Sequence, residues 1–291
     1  MSKTHACSCY ADRAVQATVP VEEHVLLARD TYRLRLTCPE IARKILPGQF
    51  VMIRLPGRND PLLGRPLAIY DVVFDADGMP TGLDLVYLKV GKMTGKLVGW
   101  KPGMMLEIWG PMGNGFSPVT CKHLVMVAGG IGQTPFLALA EEYLGRKRYG
   151  DPPRQVPRAE RVTLCYGART KDALACVEDF RRVGVDVRLA TDDGSAGHHG
   201  LVTELIGPAV EQGAADCRMV ACGPEAMLKA TVAEARALDV PCQVSLETAM
   251  ACGIGICFSC VTKVRDASGG WDYRRTCIEG PVFDAEDIVF D

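Results

Sequence analysis

Between residues 30 and 110 apolar and polar positions alternate in short bursts. Tyr32-Arg33-Leu34-Arg35-Leu36, Phe50-Val51-Met52-Ile53-Arg54-Leu55, Leu83-Asp84-Leu85-Val86-Tyr87-Leu88 and Met105-Leu106-Glu107-Ile108-Trp109 are too short for ordinary helices and carry a strand-like pattern. Turn-forming pairs bound most of them: Pro47-Gly48, Pro56-Gly57, Pro102-Gly103 and Gly110-Pro111. Short strands at this spacing predict an antiparallel barrel.

Near Lys122 the pattern changes. Leu124-Val125-Met126-Val127-Ala128 is a continuous apolar run followed by glycines, and a helical stretch runs from about Pro135 to Gly145. Strands are expected at Arg161–Tyr166, Val185–Ala190, Cys217–Ala221 and Cys242–Leu246, and helices around Asp172–Arg182, Leu201–Val210 and Pro224–Leu238. Strands alternating with helices mean a parallel sheet covered on both faces. Arg146 to Glu160, rich in Arg and Pro, reads as an exposed loop of this domain. The expected organisation is a β-barrel over residues 15–120, an α/β domain over 121–246 and a small cysteine-rich module over 247–291.

A chain of 291 residues suits two domains with a small appended unit. Net charge of -2 and no long basic run argue against a nucleic-acid surface or a polybasic membrane anchor. No apolar stretch reaches the roughly 18 residues that span a bilayer. The N-terminus lacks the apolar core of a signal peptide, so the expected location is cytoplasmic. That matters for the 13 cysteines. A reducing compartment disfavours structural disulfides, so clustered cysteines point to metal or redox use. Cys38, Cys121, Cys165, Cys176, Cys217 and Cys242 are scattered among apolar neighbours and read as small buried hydrophobes. Cys7 and Cys9 fall in the terminal stretch.

The cysteines of the tail are patterned. Cys252, Cys257 and Cys260, followed by Cys277, give C-x4-C-x2-C and a distant fourth cysteine, the spacing of plant-type 2Fe-2S clusters. Four thiolates must converge on two irons, so a tight loop supplies three and a returning strand the fourth. Gly253 and Gly255 let the loop wrap closely. Zinc ligation or four unrelated thiols are the competing readings. Zinc, however, usually takes two short C-x2-C pairs, and here there is one.

Glycine turns supply the second signal. Gly129-Gly130-Ile131-Gly132 follows an apolar strand and opens a helix, where backbone amides and the helix dipole suit a pyrophosphate. A ligand-free turn is the alternative. Tyr166-Gly167-Ala168-Arg169 and Cys222-Gly223-Pro224 put small residues at the same sheet edge. In the barrel, Gly64-Arg65-Pro66-Leu67-Ala68 offers a guanidinium fork for a phosphate, or a solvated turn arginine. Gly91-Lys92-Met93-Thr94-Gly95 is a second phosphate loop or a plain hairpin turn.

With these pieces the chain resembles the electron-transfer subunit of class B dihydroorotate dehydrogenase, within the ferredoxin reductase superfamily. The resemblance runs from about Val15 to the end. It rests on Gly64-Arg65-Pro66-Leu67, Gly110-Pro111-Met112-Gly113-Asn114-Gly115-Phe116, the Gly129–Gly132 turn, Thr191-Asp192-Asp193-Gly194-Ser195 and, most sharply, the tail from Glu247 through Cys277 to Phe283. It implies an antiparallel β-barrel that binds FAD, a parallel-sheet domain that binds NAD, and a C-terminal 2Fe-2S module. It also implies a partner subunit, two copies of each chain, in which FMN oxidises dihydroorotate to orotate for pyrimidine biosynthesis. Electrons would pass from FMN through the cluster to FAD and leave as hydride to NAD.

By motif, Arg65, Pro66, Leu67 and Ala68 would line the FAD phosphate and flavin edge. Tyr87, Leu88 and Lys89 would form the neighbouring strand, and Met93 and Thr94 the second phosphate turn. Gly129, Gly130, Ile131 and Gly132, with Cys222, Gly223 and Pro224, would face NAD. Cys252, Cys257, Cys260 and Cys277 would hold the cluster. The chain departs from the family at Ala68 (usually Ser), Leu88 (commonly Arg), Met93 (usually Gly) and Gln133. Two rival readings stand beside this one. The first is the small subunit of an NAD(P)H-ferredoxin transhydrogenase, sulfide dehydrogenase or hydrogenase, although Cys252 stands where the transhydrogenase group commonly has Asp. The second is a zinc-stabilised non-enzymatic adaptor, which would make three cofactor-like regions coincidental.

Overall fold

The computed structural model describes residues 10–211 and 216–290; Cys7 and Cys9 lie outside them. Six strands close the barrel: β1 (Val15–Ala28), β2 (Thr31–Thr37), β3 (Phe50–Arg54), β4 (Arg65–Phe74), β5 (Pro80–Leu88) and β6 (Met105–Met112). Their order is β1-β2-β5-β4-β3-β6, and β6 returns to pair antiparallel with β1. Alternate residues such as Leu34 and Leu36, Val51 and Ile53, and Leu83 and Leu85 fill its interior. Two strands escape the sequence pattern. β1 carries Pro20 and the run Glu22-Glu23-His24, and a register shift between Val21 and Glu23 breaks its alternation. β4 opens on Arg65-Pro66, which reads locally as a turn. Nor does Gly110-Pro111 end a strand: β6 continues through it to Met112, with Gly110 paired to Val15.

The second sheet has seven strands in the order β10-β9-β8-β7-β11-β12-β15. These are β7 (His123–Gly129), β8 (Arg161–Ala168), β9 (Asp186–Thr191), β10 (His198–His199), β11 (Cys217–Cys222), β12 (Cys242–Ser245) and β15 (Val282–Asp284), the last pairing antiparallel with β12. Its helices are shorter than expected. The Asp172–Arg182 stretch holds the end of a 3-10 turn, Lys171–Ala173, and an α-helix only over Val177–Arg182, because Cys176 takes a left-handed backbone (φ 64°) between them. Leu201–Val210 divides into a 3-10 turn, Val202–Leu205, and a short helix, Ile206–Glu211. The helix Glu225–Ala237 forms as expected, with Leu228, Val232 and Ala235 on its buried stripe. No helix among the described residues is long and apolar enough to cross a membrane.

The helix Phe136–Tyr143 lies between barrel and sheet, and all eight of its residues are buried. Two of them are Glu141 and Glu142, which burial would destabilise if they were left unpaired. Their partners come from the segment 146–160, which is therefore not a free exposed loop. Arg154 reaches Glu142 (2.6 Å) and Lys147 reaches Glu141 (2.8 Å), while Tyr149 and Ala159 are buried. Of the scattered cysteines, Cys38, Cys121, Cys165 and Cys217 are buried as expected, whereas Cys176 and Cys242 are partly exposed.

Candidate functional site

The tail folds into a loop followed by a hairpin of β13 (Val261–Arg265) and β14 (Trp271–Arg275). The hairpin explains how two distant cysteines meet. Cys260 immediately precedes β13, Cys277 follows β14, and Thr276 N donates to Cys260 O (2.8 Å) at the hairpin base. Both thiols are buried in one apolar cluster with Phe50, Met52 and Met112 of the barrel. Burial and the neighbouring Cys260 push the Cys277 thiol up to about 12. In the loop, Cys252 is half-buried and Cys257 exposed. Hydrogen bonds from Ser259, and then from Cys252, bring Cys257 down to about 6. The four sulfurs thus lie in one patch as a buried pair and a loop pair. Among the described residues no three side chains converge as ready metal ligands.

The residues fit an iron-sulfur cluster in two other respects. Gly253 (φ 75°) and Gly255 (φ 81°) hold the loop against the barrel and hairpin: a Cβ on them would fall 2.6 Å from Met52 Cγ and 2.7 Å from Ile278 Cδ1. The Ile254 amide already points at Cys252 Sγ (3.4 Å), the kind of N–H···S contact that tunes such clusters. Trp109 Nε1 donates to Cys252 O (3.0 Å) and fastens the loop to β6. Met52 and Trp109 carry no motif signal in the sequence, since their role comes only from strand register.

The expected flavin segment starts β4. Arg65 Nη1 donates to Leu63 O (3.1 Å) and Gly64 O (3.0 Å), and no carboxylate pairs with it among the described residues, as an anion-binding guanidinium requires. Arg65, Pro66, Leu67 and Ala68 are all partly exposed, whereas Ile69 and Tyr70, which follow them, are buried. The neighbouring strand contributes less through its side chains. Tyr87 faces the barrel interior, with its hydroxyl 3.0 Å from His24 Nε2 and its ring stacked on Tyr32, so it offers a ligand its backbone. Leu88 ends β5, and Lys89 follows it, 3.9 Å from Asp30. Met93 is buried in the barrel core on a short helix (Lys92–Leu97), so the methionine found here turns inward and does not crowd the turn. Thr94 Oγ1 accepts from the amides of Val90 (3.0 Å) and Gly91 (3.1 Å), a local cap that occupies it.

At the C-terminal edge of the sheet, β7 and β11 are adjacent, and their ends interlock through glycine. A Cβ on Gly132 would meet Cys222 O at 2.2 Å; one on Gly129 would meet Pro224 Cδ at 2.9 Å; one on Gly223 would meet Gly129 N at 3.0 Å. Gly130, at φ 56°, has open space beside it. Ile131 is partly buried against the core between sheet and barrel. The turn, a 3-10 stretch over Gly130–Gln133, thus presents main chain at the edge where open α/β sheets bind nucleotides. Gln133 is fully buried behind it, with neither amide atom hydrogen-bonded.

Three family models match this chain. An oxidoreductase FAD-binding domain model matches residues 18–116, an oxidoreductase NAD-binding domain model matches 126–233, and the iron-sulfur cluster binding domain of dihydroorotate dehydrogenase B matches 247–289. The chain is 37% identical over 268 residues to the dihydroorotate dehydrogenase B (NAD(+)) electron transfer subunit of Desulforamulus reducens, covering 91% of this chain and 95% of the relative. The subunit of the same name from a Geobacillus species is 34% identical over 277 residues, covering 94% and 98%. Among solved structures, the NADH-dependent reduced ferredoxin-NADP oxidoreductase superposes with a TM-score of 0.76 at 28% identity, covering 94% of this chain and 90% of that one. A ferredoxin reductase of carbazole 1,9a-dioxygenase shares the fold alone, with a TM-score of 0.63 at 23% identity over 78% of this chain and 67% of that one. The chain belongs to the family of dihydroorotate dehydrogenase B (NAD(+)) electron transfer subunits.

Proposed function

We propose that this chain carries electrons between a catalytic partner subunit and NAD, using an iron-sulfur cluster and FAD. The cluster, taken as 2Fe-2S, would be held by Cys252, Cys257, Cys260 and Cys277. FAD would lie on Arg65–Ala68 and the Met93–Thr94 turn, and NAD on Gly129–Gly132 with Cys222–Pro224. When bound, the flavin exchanges single electrons with the cluster and a hydride with the nicotinamide.

One observation carries the reading. Met52 touches the cluster loop at Gly253 and pairs directly across the ladder with Pro66 of the flavin segment. Adjacent strands lie about 4.8 Å apart, so a single strand separates the two cofactor positions. The protein's part is to hold both rigidly. Trp109 and Met52 fix the loop from below, and Asn114 Nδ2 donates to Val282 O (2.7 Å) beyond the cysteines.

The partner would approach from the cluster side. Ile256 (74% exposed), Phe258 (62%) and Ile254 give the loop an apolar rim, and Leu62 and Leu63 are exposed beside Gly64, whose position touches Trp109. Such a patch suits a protein interface. The partner's cofactor is taken as FMN and the assembly as two copies of each chain, in the cytoplasm. The test is reconstitution with that subunit. Dihydroorotate should drive NADH formation only when both chains are present, with two irons and one FAD per copy of this chain. Reduction of NAD by dihydroorotate without this chain, or a colourless zinc protein, would refute the reading.

A further inference from the structure

We propose that segment 146–160 is an interdomain clasp, with Lys147 and Tyr149 as positioning residues that set the nicotinamide domain against the flavin barrel. This rests on the placement of flavin and nicotinamide proposed above.

Asp71 lies on β4, three residues beyond Ala68 of the flavin segment. Glu141 lies on the helix that follows the Gly129–Gly132 turn. These two carboxylates belong to different domains, and the segment supplies what joins them. The Lys147 ammonium contacts Asp71 Oδ2 and reaches Glu141 Oε2 at 2.8 Å. Tyr149 Oη lies 2.9 Å from Asp71 Oδ1 and 3.2 Å from Glu141 Oε2. A phenol has one proton to donate, so the Tyr149 hydroxyl lies between the two carboxylates as a shared donor, and the Lys147 ammonium supplies the charge that lets them sit together.

The cluster is largely shielded from water. The side chains of Glu141, Asp71 and Lys147 are 9%, 14% and 26% exposed, and Tyr149 is 2% exposed within the barrel's core cluster. A solvated surface loop would instead turn its charges outward, where pairing contributes little. Arg154 adds a second tie, with Nε and Nη2 donating to Glu142 (2.8 and 2.6 Å) and Nη1 donating to Phe116 O (2.8 Å), where the chain leaves the barrel. The contacts therefore run from flavin strand to nicotinamide helix without passing through the covalent link. Hydride transfer is steeply sensitive to donor–acceptor geometry, so such a tie would act on the chemical step more than on either binding step.

The test uses the full-length, FAD-loaded chain with NADH as donor and ferricyanide as acceptor. Lys147→Met leaves two carboxylates facing each other without a cation, and adding Glu141→Gln relieves that repulsion. Lys147→Met should lower kcat about 10- to 100-fold with KM for NADH unchanged, and the double variant should recover most of the loss. Scanning calorimetry should show one unfolding transition in the parent and two in Lys147→Met. Where Lys147→Met does not fold, Tyr149→Phe carries the same comparison with a smaller loss. A single lowered transition with unchanged kcat would overturn the clasp, and so would a rise in KM alone. A parent chain that binds FAD but never oxidises NADH would instead overturn the functional reading, a result the calorimetry would not mimic.

Discussion

Gly132→Ala is expected to damage NAD binding while leaving the flavin and the cluster in place. The added methyl would sit 2.2 Å from Cys222 O, 2.5 Å from Cys222 C and 2.8 Å from Gly223 N. All three are backbone atoms, so no rotamer change relieves the clash. Reaching ordinary contact requires the turn at Gly132 and the end of β11 to part by roughly 1 Å. Both strands are paired on each side, so the displacement should go into the turn. Overpacking of this kind costs about 1–3 kcal/mol of stability. A main-chain amide moved by that much leaves hydrogen-bond range of a phosphate, and one lost charge-assisted bond is worth about 1.5–3 kcal/mol. The dissociation constant for NADH should rise about 10- to 100-fold. Titration calorimetry on the FAD-loaded chain measures it, with Gly207→Ala as control because nothing lies within 4 Å of the Cβ there. A folded Gly132→Ala variant that binds NADH as the parent does would refute the reasoning.

Cys257→Ser should abolish dihydroorotate-driven reduction of NAD and lower the iron content, yet leave FAD bound and ferricyanide reduction by NADH intact; an unchanged coupled rate would sink the cluster assignment. Tyr87→Phe removes a hydroxyl bonded to His24 inside the barrel, so stability should fall by about 1 kcal/mol with FAD affinity unchanged. Loss of FAD from that variant in a spectral titration would place the ring on the wrong face. Burial, then Arg161 and Arg188, hold the His123 imidazole down to about 4 from 6.5. The unfolded chain therefore takes up a proton first, and stability should fall as pH drops from 6.5 towards 4. Thermal melts of His123→Gln across that range should show a shallower decline; identical slopes would contradict this.

The cluster motif was legible because its chemistry fixes residue type and spacing together. The glycine turns were legible because only glycine fits where β7 and β11 meet. Elements whose definition is tertiary were not. β1 pairs with both β2 and β6 and tolerates an irregular burial pattern, so its sequence does not alternate. The 146–160 segment reads as solvated because Lys147 and Arg154 are charged, and their partners, the half-buried Asp71 and the buried Glu142, lie outside it. Tyr87 and Met93 sit in family site motifs yet point into the barrel, and which way a side chain faces depends on register that a motif does not specify.

β15 has a consequence for how this protein can be taken apart. It belongs to the cysteine-bearing tail by sequence, yet it is the outermost strand of the nucleotide sheet, paired through Val244–Phe283 and Ser245–Val282. Cutting the chain before residue 247 would not yield a tidy two-domain reductase. It would strip β12 of its outer neighbour, leaving it paired with β11 alone, and expose a row of unpaired amides and carbonyls beside Val244, a template for misassembly. The iron-bearing part is therefore no detachable accessory: any descendant that dispensed with the metal would still have to keep, or replace, the strand that arrives with it.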